Sequence, residues 1–90
     1  MALLVKVDGT KEELEVPKED RLNFLQKQVG GYIEILPMRS KRFSNMVINE
    51  EGKLINLPKN DTATELMQGM LFQGDFIVGD ALLCEAHELD

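Results

Sequence analysis

The chain has 90 residues, of which 43% are apolar, and a formal net charge of −6. This length fits one domain, residues 1–90, and the apolar content is too high for a disordered chain. The acidic balance argues against a nucleic acid as the main partner, because binding a phosphate backbone calls for a basic face.

Cysteine content and hydropathy bear on the compartment. The single cysteine, Cys84, excludes an intramolecular disulfide framework and fits a reducing compartment. The sequence shows neither a basic-then-apolar leader nor an apolar run near ~18 residues, so we expect a cytoplasmic protein that contacts no membrane. A chain of this length buries only about 60 to 65% of its unfolded surface, which leaves homo-oligomerisation open as a source of stability.

The first predicted unit is a β-hairpin. Apolar and polar residues alternate from Ala2 to Val7, and Asp8-Gly9 is a turn signal because glycine supplies the positive φ of a tight hairpin. The alternation resumes over residues 13–16 and ends at Pro17. The acidic outer face of this second strand would protect an exposed edge from pairing with another chain.

A helical pattern follows from about Arg21 to Val29. Asp20 is expected to cap its start, and acidic residues there complement the helix dipole. Gly30-Gly31 is expected to end the helix as a C-cap, and a backbone nest that cradles an anion is the alternative interpretation. The apolar residues spaced i, i+3 and i+7 form the predicted buried stripe: Leu22, Leu25 and Val29.

Three strands are predicted next. Tyr32 to Met38 changes to a period of two, and a polar connection from Arg39 to Asn45 leads to a partner strand, Met46 to Asn49. The following turn is expected to place Gly52 in the left-handed region and form a bulged hairpin. Lys53 to Leu57 is then the predicted return strand.

The remaining segment predicts one more helix and one more strand. Thr62–Glu65 has the pattern of a capping box that begins a short helix, and Asn60 before it is expected to cap the helix or turn the loop. Residues 76–86 predict a last, mostly buried strand that is kinked or bulged at Gly79. Residues 87–90 are expected to be a frayed acidic tail.

This order of elements predicts a single α+β domain. The sequence strand-strand-helix-strand-strand-strand-helix-strand favours a mainly antiparallel sheet with an N-terminal β-hairpin and two helices. The predicted core consists of the apolar residues on the inward faces of these elements: Val5, Leu14, Leu22, Leu25, Ile33, Ile35, Ile48, Leu66, Ile77 and Leu82.

The sequence gives little support for catalysis. Cys84 and the only histidine, His87, could pair as a nucleophile and base, but a strand would place them on opposite faces and no orienting residue is evident. Two such ligands are too few for structural zinc, and no phosphate loop or dinucleotide fingerprint occurs. We therefore predict that the protein is not an enzyme and has no metal or cofactor.

A short basic segment provides the one candidate binding site. Arg39, Lys41 and Arg42 fall within four positions and suit phosphate or another anion. A solvated hairpin tip is the simpler interpretation, because short charge runs usually serve solubility. Tyr32 could supply an apolar platform with a polar tip.

Two further polar residues complete this hypothetical site. Glu34 lies in an apolar strand, so it must face water, find a hydrogen-bond partner or contact a ligand. Asn49 is expected on the neighbouring strand, at the same end of the sheet as the basic segment. The candidate ligand-binding residues are therefore Tyr32, Glu34, Arg39, Lys41, Arg42 and Asn49.

Several blocks of the sequence resemble a known family. The family is domain of unknown function 3846, small proteins of bacteriophages, prophages and plasmids, and the likeness covers roughly Leu3 to Leu83. It implies a phage or mobile-element origin and action in a host cytoplasm, and it brings no catalytic residues to transfer. The blocks that carry the resemblance are Val29-Gly30-Gly31-Tyr32-Ile33-Glu34, Ile48-Asn49-Glu50-Glu51-Gly52-Lys53-Leu54, Leu57-Pro58, Asn60 and Gly79-Asp80.

Two functions from different classes then compete. The first is a non-enzymatic phage accessory protein, for example in counter-defence, that binds a host protein or a small anionic signalling nucleotide. The second is a small structural or assembly protein that acts as a homo-oligomer. A hydrolase would need a metal or an activated nucleophile that the sequence does not show.

Overall fold

The computed structural model describes residues 1–90 and contains one five-stranded antiparallel sheet. The strand order is β2-β1-β5-β4-β3, so β2 and β3 are the two edges. The elements in chain order are β1 Ala2–Val5, β2 Lys11–Leu14, α1 Arg21–Val29, β3 Ile33–Pro37, β4 Asn45–Asn49, α2 Asp61–Leu66, β5 Ala81–Cys84 and a 3₁₀ helix Ala86–Glu88. The predicted α+β class with an antiparallel sheet, an N-terminal hairpin and two helices is confirmed.

The sheet consists of two hairpins joined by the last strand. β1 pairs with β2, and β3 pairs with β4. β5 lies between the hairpins and pairs with both β1 and β4, and all four of its residues are buried. Folding of the whole sheet therefore depends on a strand that comes some thirty residues after β4.

The two faces of the sheet are covered by different elements. Leu25 and Val29 of α1 pack on one face, the α1 face, against Val47, Leu82 and Cys84. The other face, the α2 face, packs against Ala63 of α2 and the segment that follows it. The residues of this second cluster include Val5, Met46, Leu83, Met67 and Ile77.

The predicted span of α1 is confirmed, and its two ends differ in outcome. Gly30 has φ 80° and donates its N–H to the Gln26 carbonyl at 2.8 Å, which confirms the C-cap. The cap by Asp20 is wrong, because Asp20 has φ 56° and makes no side-chain bond to a helix N–H. Its carboxylate instead accepts from the Asn23 amide at 2.7 Å.

The capping box predicted for α2 is wrong, and Asn60 takes that role. Its Oδ1 accepts from the Ala63 N–H at 3.0 Å, so the helix begins at Asp61. Its Nδ2 donates to the carbonyls of Val5 and Gly79, each at 2.9 Å. One buried side chain therefore starts α2 and ties it to β1 and to the chain before β5.

The return strand predicted over Lys53–Leu57 is wrong. The Ile55 N–H donates to the Glu51 carbonyl at 3.1 Å, so this segment folds into local turns and has no strand partner. The left-handed residue is Asn56, with φ 56°, and not Gly52. Gly52 serves close packing instead, because a Cβ there would lie 2.8 Å from Val78 Cγ2.

The end of the chain also differs from its prediction. β5 covers only Ala81–Cys84, and of residues 76–80 only Val78 forms a bridge, to Lys59. Gly79, with φ 75°, redirects the chain before the strand. Residues 87 and 88 do not form a frayed tail, because Glu85 and Glu88 cap a 3₁₀ helix reciprocally and Glu88 is buried.

The predicted core is confirmed at four positions and wrong at three. Val5, Leu25, Ile77 and Leu82 are buried, and Leu14, Ile33 and Ile48 are partly buried against the core. Leu22, Ile35 and Leu66 are 57%, 46% and 42% exposed. Leu22 lies one turn before the part of α1 that meets the sheet. Ile35 lies on an edge strand that no neighbour covers.

Candidate functional site

The first two signature blocks meet at the end of α1. The Asn49 side chain is buried, and its Nδ2 donates to the Val29 carbonyl at 3.1 Å while its Oδ1 accepts from the Glu51 N–H at 2.8 Å. A Cβ on Gly31 would lie 2.9 Å from Asn49 Nδ2. Asn49 therefore joins the helix end to the end of β4, and Gly31 leaves it the room to do so.

The remaining signature residues form a second structural contact. A Cβ on Gly79 would lie 2.8 Å from Leu57 Cδ1. Asp80 accepts from the Val7 N–H at 2.9 Å, and Asn60 holds the Gly79 carbonyl. These residues satisfy the backbone groups of irregular segments, so they stabilise the fold.

The six predicted site residues do not converge. Ile33 pairs with Asn49 and Pro37 pairs with Asn45, so the basic segment lies at one end of the β3–β4 hairpin and Tyr32 and Asn49 lie at the other. A strand of this length separates its ends by about 13 Å, at ~3.3 Å per residue. The expectation that these residues converge at one end of the strands is wrong.

Arg42 belongs to a structural ion-pair cluster. Its Nη2 donates to the Met1 carbonyl and to Glu13 Oε1, each at 3.0 Å, and its Nε lies 3.8 Å from Glu85 Oε2. Its guanidinium also lies 4.7 Å from the centre of the Phe43 ring. Arg42 therefore ties the β3–β4 connection to β2 and to the end of β5.

The other charged site residues are exposed and form no ion pair. Arg39 and Lys41 lie in the connection between β3 and β4, and Glu34 is the second residue of β3. Tyr32 is two-thirds exposed beside a shallow groove of about 220 Å³. The only charged residue that lines this groove is Glu51, which would repel an anionic ligand.

Cys84 and His87 do not form a reactive pair. Cys84 is fully buried in the cluster under α1, and this burial raises the pKa of its thiol to about 12. His87 instead lines a polar groove of about 370 Å³ with Arg21 and Glu88. The thiol therefore stays protonated at neutral pH, and no group of three or more His, Cys, Asp or Glu side chains is arranged to hold a metal ion.

The outer edge of β3 carries backbone groups that have no partner in the sheet. The Glu50 N–H donates to the Tyr32 carbonyl and the Met38 N–H to the Ser44 carbonyl, so even-numbered residues of β3 direct their backbone groups toward β4. Antiparallel ladders alternate, so the N–H groups of Ile33 and Ile35 point away from the sheet. Both donors are free for another strand.

Apolar surface accompanies this edge on both faces. Ile35 is 46% exposed on the α1 face. On the α2 face, Leu36 lines a groove of about 150 Å³ whose other apolar walls include Ile48, Leu54 and Phe76. Lys53 closes one side of the groove by an ion pair with Asp75 and lies over the Phe76 ring.

Sequence reasoning missed this edge as a site. The available signal was the composition of residues 33–37, which carry one charge among five positions. The position of the strand in the sheet was the missing fact, because only an edge strand has free backbone groups.

The fold and its surface define a class, a small α+β domain with a buried structural signature and an open apolar sheet edge. The chain belongs to the family described as Domain of unknown function (DUF3846), whose model matches residues 1–90, and this confirms the resemblance. No curated protein and no solved structure matches it. No helix has the length and apolar character needed to cross a membrane.

Proposed function

We propose that this protein is a non-enzymatic interaction module that binds an extended protein segment by adding it as a strand to β3. The observation that supports this is the pair of free N–H donors of Ile33 and Ile35 beside exposed apolar side chains. Strand addition draws affinity from main-chain hydrogen bonds and specificity from pockets for alternate side chains.

The groove beside Leu36 supplies such a pocket. Side chains of an added strand alternate between the two faces of the sheet, so every second one faces the α2 face. There it would meet the groove lined by Leu36 and Leu54, and Leu54 is 81% exposed at its rim. The partner segment should therefore carry apolar residues at alternate positions.

The accessory role implied by the family resemblance is part of this proposal. A phage or mobile-element protein that acts in a host cytoplasm can work through contacts with protein chains alone, and such a role needs no catalytic group. A small anionic ligand has less support, because Arg42 is engaged with Glu13 and the remaining basic residues of the predicted site lie far from Tyr32.

Amide resonances of isotope-labelled protein test the proposal. A short extended peptide of alternating valine and threonine should shift the Ile33 and Ile35 resonances and slow their hydrogen exchange, while the amides of β2 stay unchanged. The control peptide has the same sequence with N-methyl groups on alternate residues, which removes the hydrogen bonds along one edge. Equal effects of both peptides, or no effect at β3 of a monomeric chain, would contradict strand addition.

A further inference from the structure

We infer that the strand that adds to β3 is β3 of a second copy of this chain, so that two sheets join into one across a two-fold axis at Ile35. This inference rests on the proposed function of β3 as a strand-pairing edge. A two-fold interface uses the same surface of both copies, so that surface must complement itself. The backbone, side chains and charges of the β3–β4 hairpin each meet this condition.

The backbone groups complement each other in an antiparallel arrangement centred on Ile35. Ile35 faces Ile35 of the second copy, and the two exchange both N–H···O=C bonds. Ile33 then faces Pro37, whose carbonyl accepts from the Ile33 N–H and whose missing N–H is not required. Both free donors of each copy are satisfied.

The side chains fit the same register. Ile33, Ile35 and Pro37 share the α1 face, so in this register an entirely apolar row meets its own copy. On the other face, Glu34 lies opposite Leu36. A shift of two residues would instead place Glu34 directly opposite Glu34 of the second copy, and like charges directly opposite are destabilising.

The charges of the hairpin also favour this pairing. Arg39 and Lys41 lie at one end of the hairpin, and Glu50 and Glu51 lie at the other. None of these four residues forms an ion pair within the chain. Antiparallel pairing places the basic end of each copy beside the acidic end of the other, which steers association and fixes the register.

Sedimentation equilibrium of the full chain tests the inference. We expect a concentration-dependent rise toward twice the 10.2 kDa mass of one chain. Ile35→Lys should weaken this association by at least about tenfold, because it places two ammonium groups opposite each other in the pairing strand. Leu22→Lys is the matched control, since it makes the same change at a similarly exposed site on α1, and it should leave the association unchanged.

A charge exchange tests the register. The double variant Arg39→Glu, Lys41→Glu should associate about threefold to tenfold more weakly, as expected for exposed ion pairs. Adding Glu50→Lys and Glu51→Lys to the double variant should restore association. The resulting variant has four substitutions and keeps the net charge of the wild type. Lys11→Glu with Lys18→Glu controls for net charge, because both lysines are exposed and unpaired.

Three results would overturn the inference. One is a chain that stays monomeric up to millimolar concentration. Another is a dimer that persists in Ile35→Lys, which would place the interface elsewhere. The third is a charge exchange that fails to restore association. A monomeric chain whose Ile33 and Ile35 amides still respond to the valine–threonine peptide refutes the dimer and leaves the proposed function standing, whereas a monomer that does not respond refutes both.

Discussion

The two edge strands of the sheet, β2 and β3, present different surfaces to an approaching chain. β2 has the sequence Lys-Glu-Glu-Leu, with three charged residues among four. β3 has the sequence Ile-Glu-Ile-Leu-Pro, with one charged residue among five. A strand that paired with β2 would have to bury charges, whereas a strand that paired with β3 would cover exposed apolar surface.

Both glutamates of β2 are also engaged within the fold. Glu13 accepts a hydrogen bond from Arg42, and Glu12 lies 3.8 Å from Lys6 Nζ. Glu34 of β3 has no such partner. The two edges therefore share their position in the sheet and differ in their side chains, and it is this difference on which the proposed pairing of β3 rests.

The largest expected loss of stability comes from β5, the strand that links the hairpins to which the two edge strands belong. Leu82 is fully buried at the middle of β5, the strand between the two hairpins. Leu82→Ala should reduce the free energy of unfolding by about 2 to 5 kcal/mol, because it removes transfer free energy and leaves a cavity. Urea denaturation followed by circular dichroism measures this loss, and Leu22→Ala at an exposed site should change it little. A wild-type midpoint for Leu82→Ala would contradict the central place of β5.

A smaller loss of stability should affect the β3–β4 hairpin more than the β1–β2 hairpin. Asn49→Ala removes the hydrogen bonds to the Val29 carbonyl and the Glu51 N–H, and we expect a cost of about 1 to 3 kcal/mol. Hydrogen exchange should accelerate in β3 and β4 more than in β1 and β2, since Asn49 supports only that side of the sheet. Asn45→Ala is the control, because the Asn45 amide makes no side-chain hydrogen bond. Uniform acceleration in all strands would show that Asn49 does not act locally.

These expectations indicate which parts of the fold could be read from the sequence. The span of α1 and its Gly30 cap were predictable because both depend on neighbours within a few residues. The return strand over 53–57 was not, because the turn there is stabilised by packing of Gly52 on Val78, a contact between distant segments. Periodicity showed which face of an element is apolar, but it could not show that no neighbouring element covers Leu22 and Ile35.

The candidate site shows the same limit more sharply. Tyr32 and Arg39 are close in sequence, and only the register of β3 on β4 shows that the whole of β3 separates them. Asn49 was a candidate for recognition because it was expected on the neighbouring strand at the same end as the basic segment, yet its position next to Gly31 makes it structural. The open edge of β3 could not be found at all without the strand order, which depends on the insertion of β5 between the hairpins.

The pH dependence of stability should report on the burial of β5 between the two hairpins. Burial raises the pKa of Cys84 in β5 to about 12, against an ordinary thiol value of 9.0. Above pH 9 the unfolded chain loses this proton and the folded chain keeps it, so stability falls as pH rises toward 12. The loss is about 1 kcal/mol at pH 10. Urea midpoints between pH 8 and pH 10 should fall more steeply for the wild type than for Cys84→Ala, and parallel slopes would contradict this cause.

The smallest change in stability is expected from substitutions that exchange the apolar character of β3 and the charged character of β2. Ile35→Lys should alter the free energy of unfolding by no more than about 0.5 kcal/mol, because Ile35 is an exposed edge residue. In the Ile35→Lys background, where the inferred pairing of β3 should be weakened, Lys11→Val with Glu12→Val makes β2 more apolar and removes only one weak ion pair. We expect self-association to return through β2, with slowed exchange of outward-pointing β2 amides.

Lys11→Gln with Glu12→Gln removes the same charges without adding apolar surface, so association in the valine variant alone assigns the effect to hydrophobic pairing. If neither variant associates, the charges of β2 are not what keeps that edge solitary, and the contrast between the two edges must come from their backbone geometry.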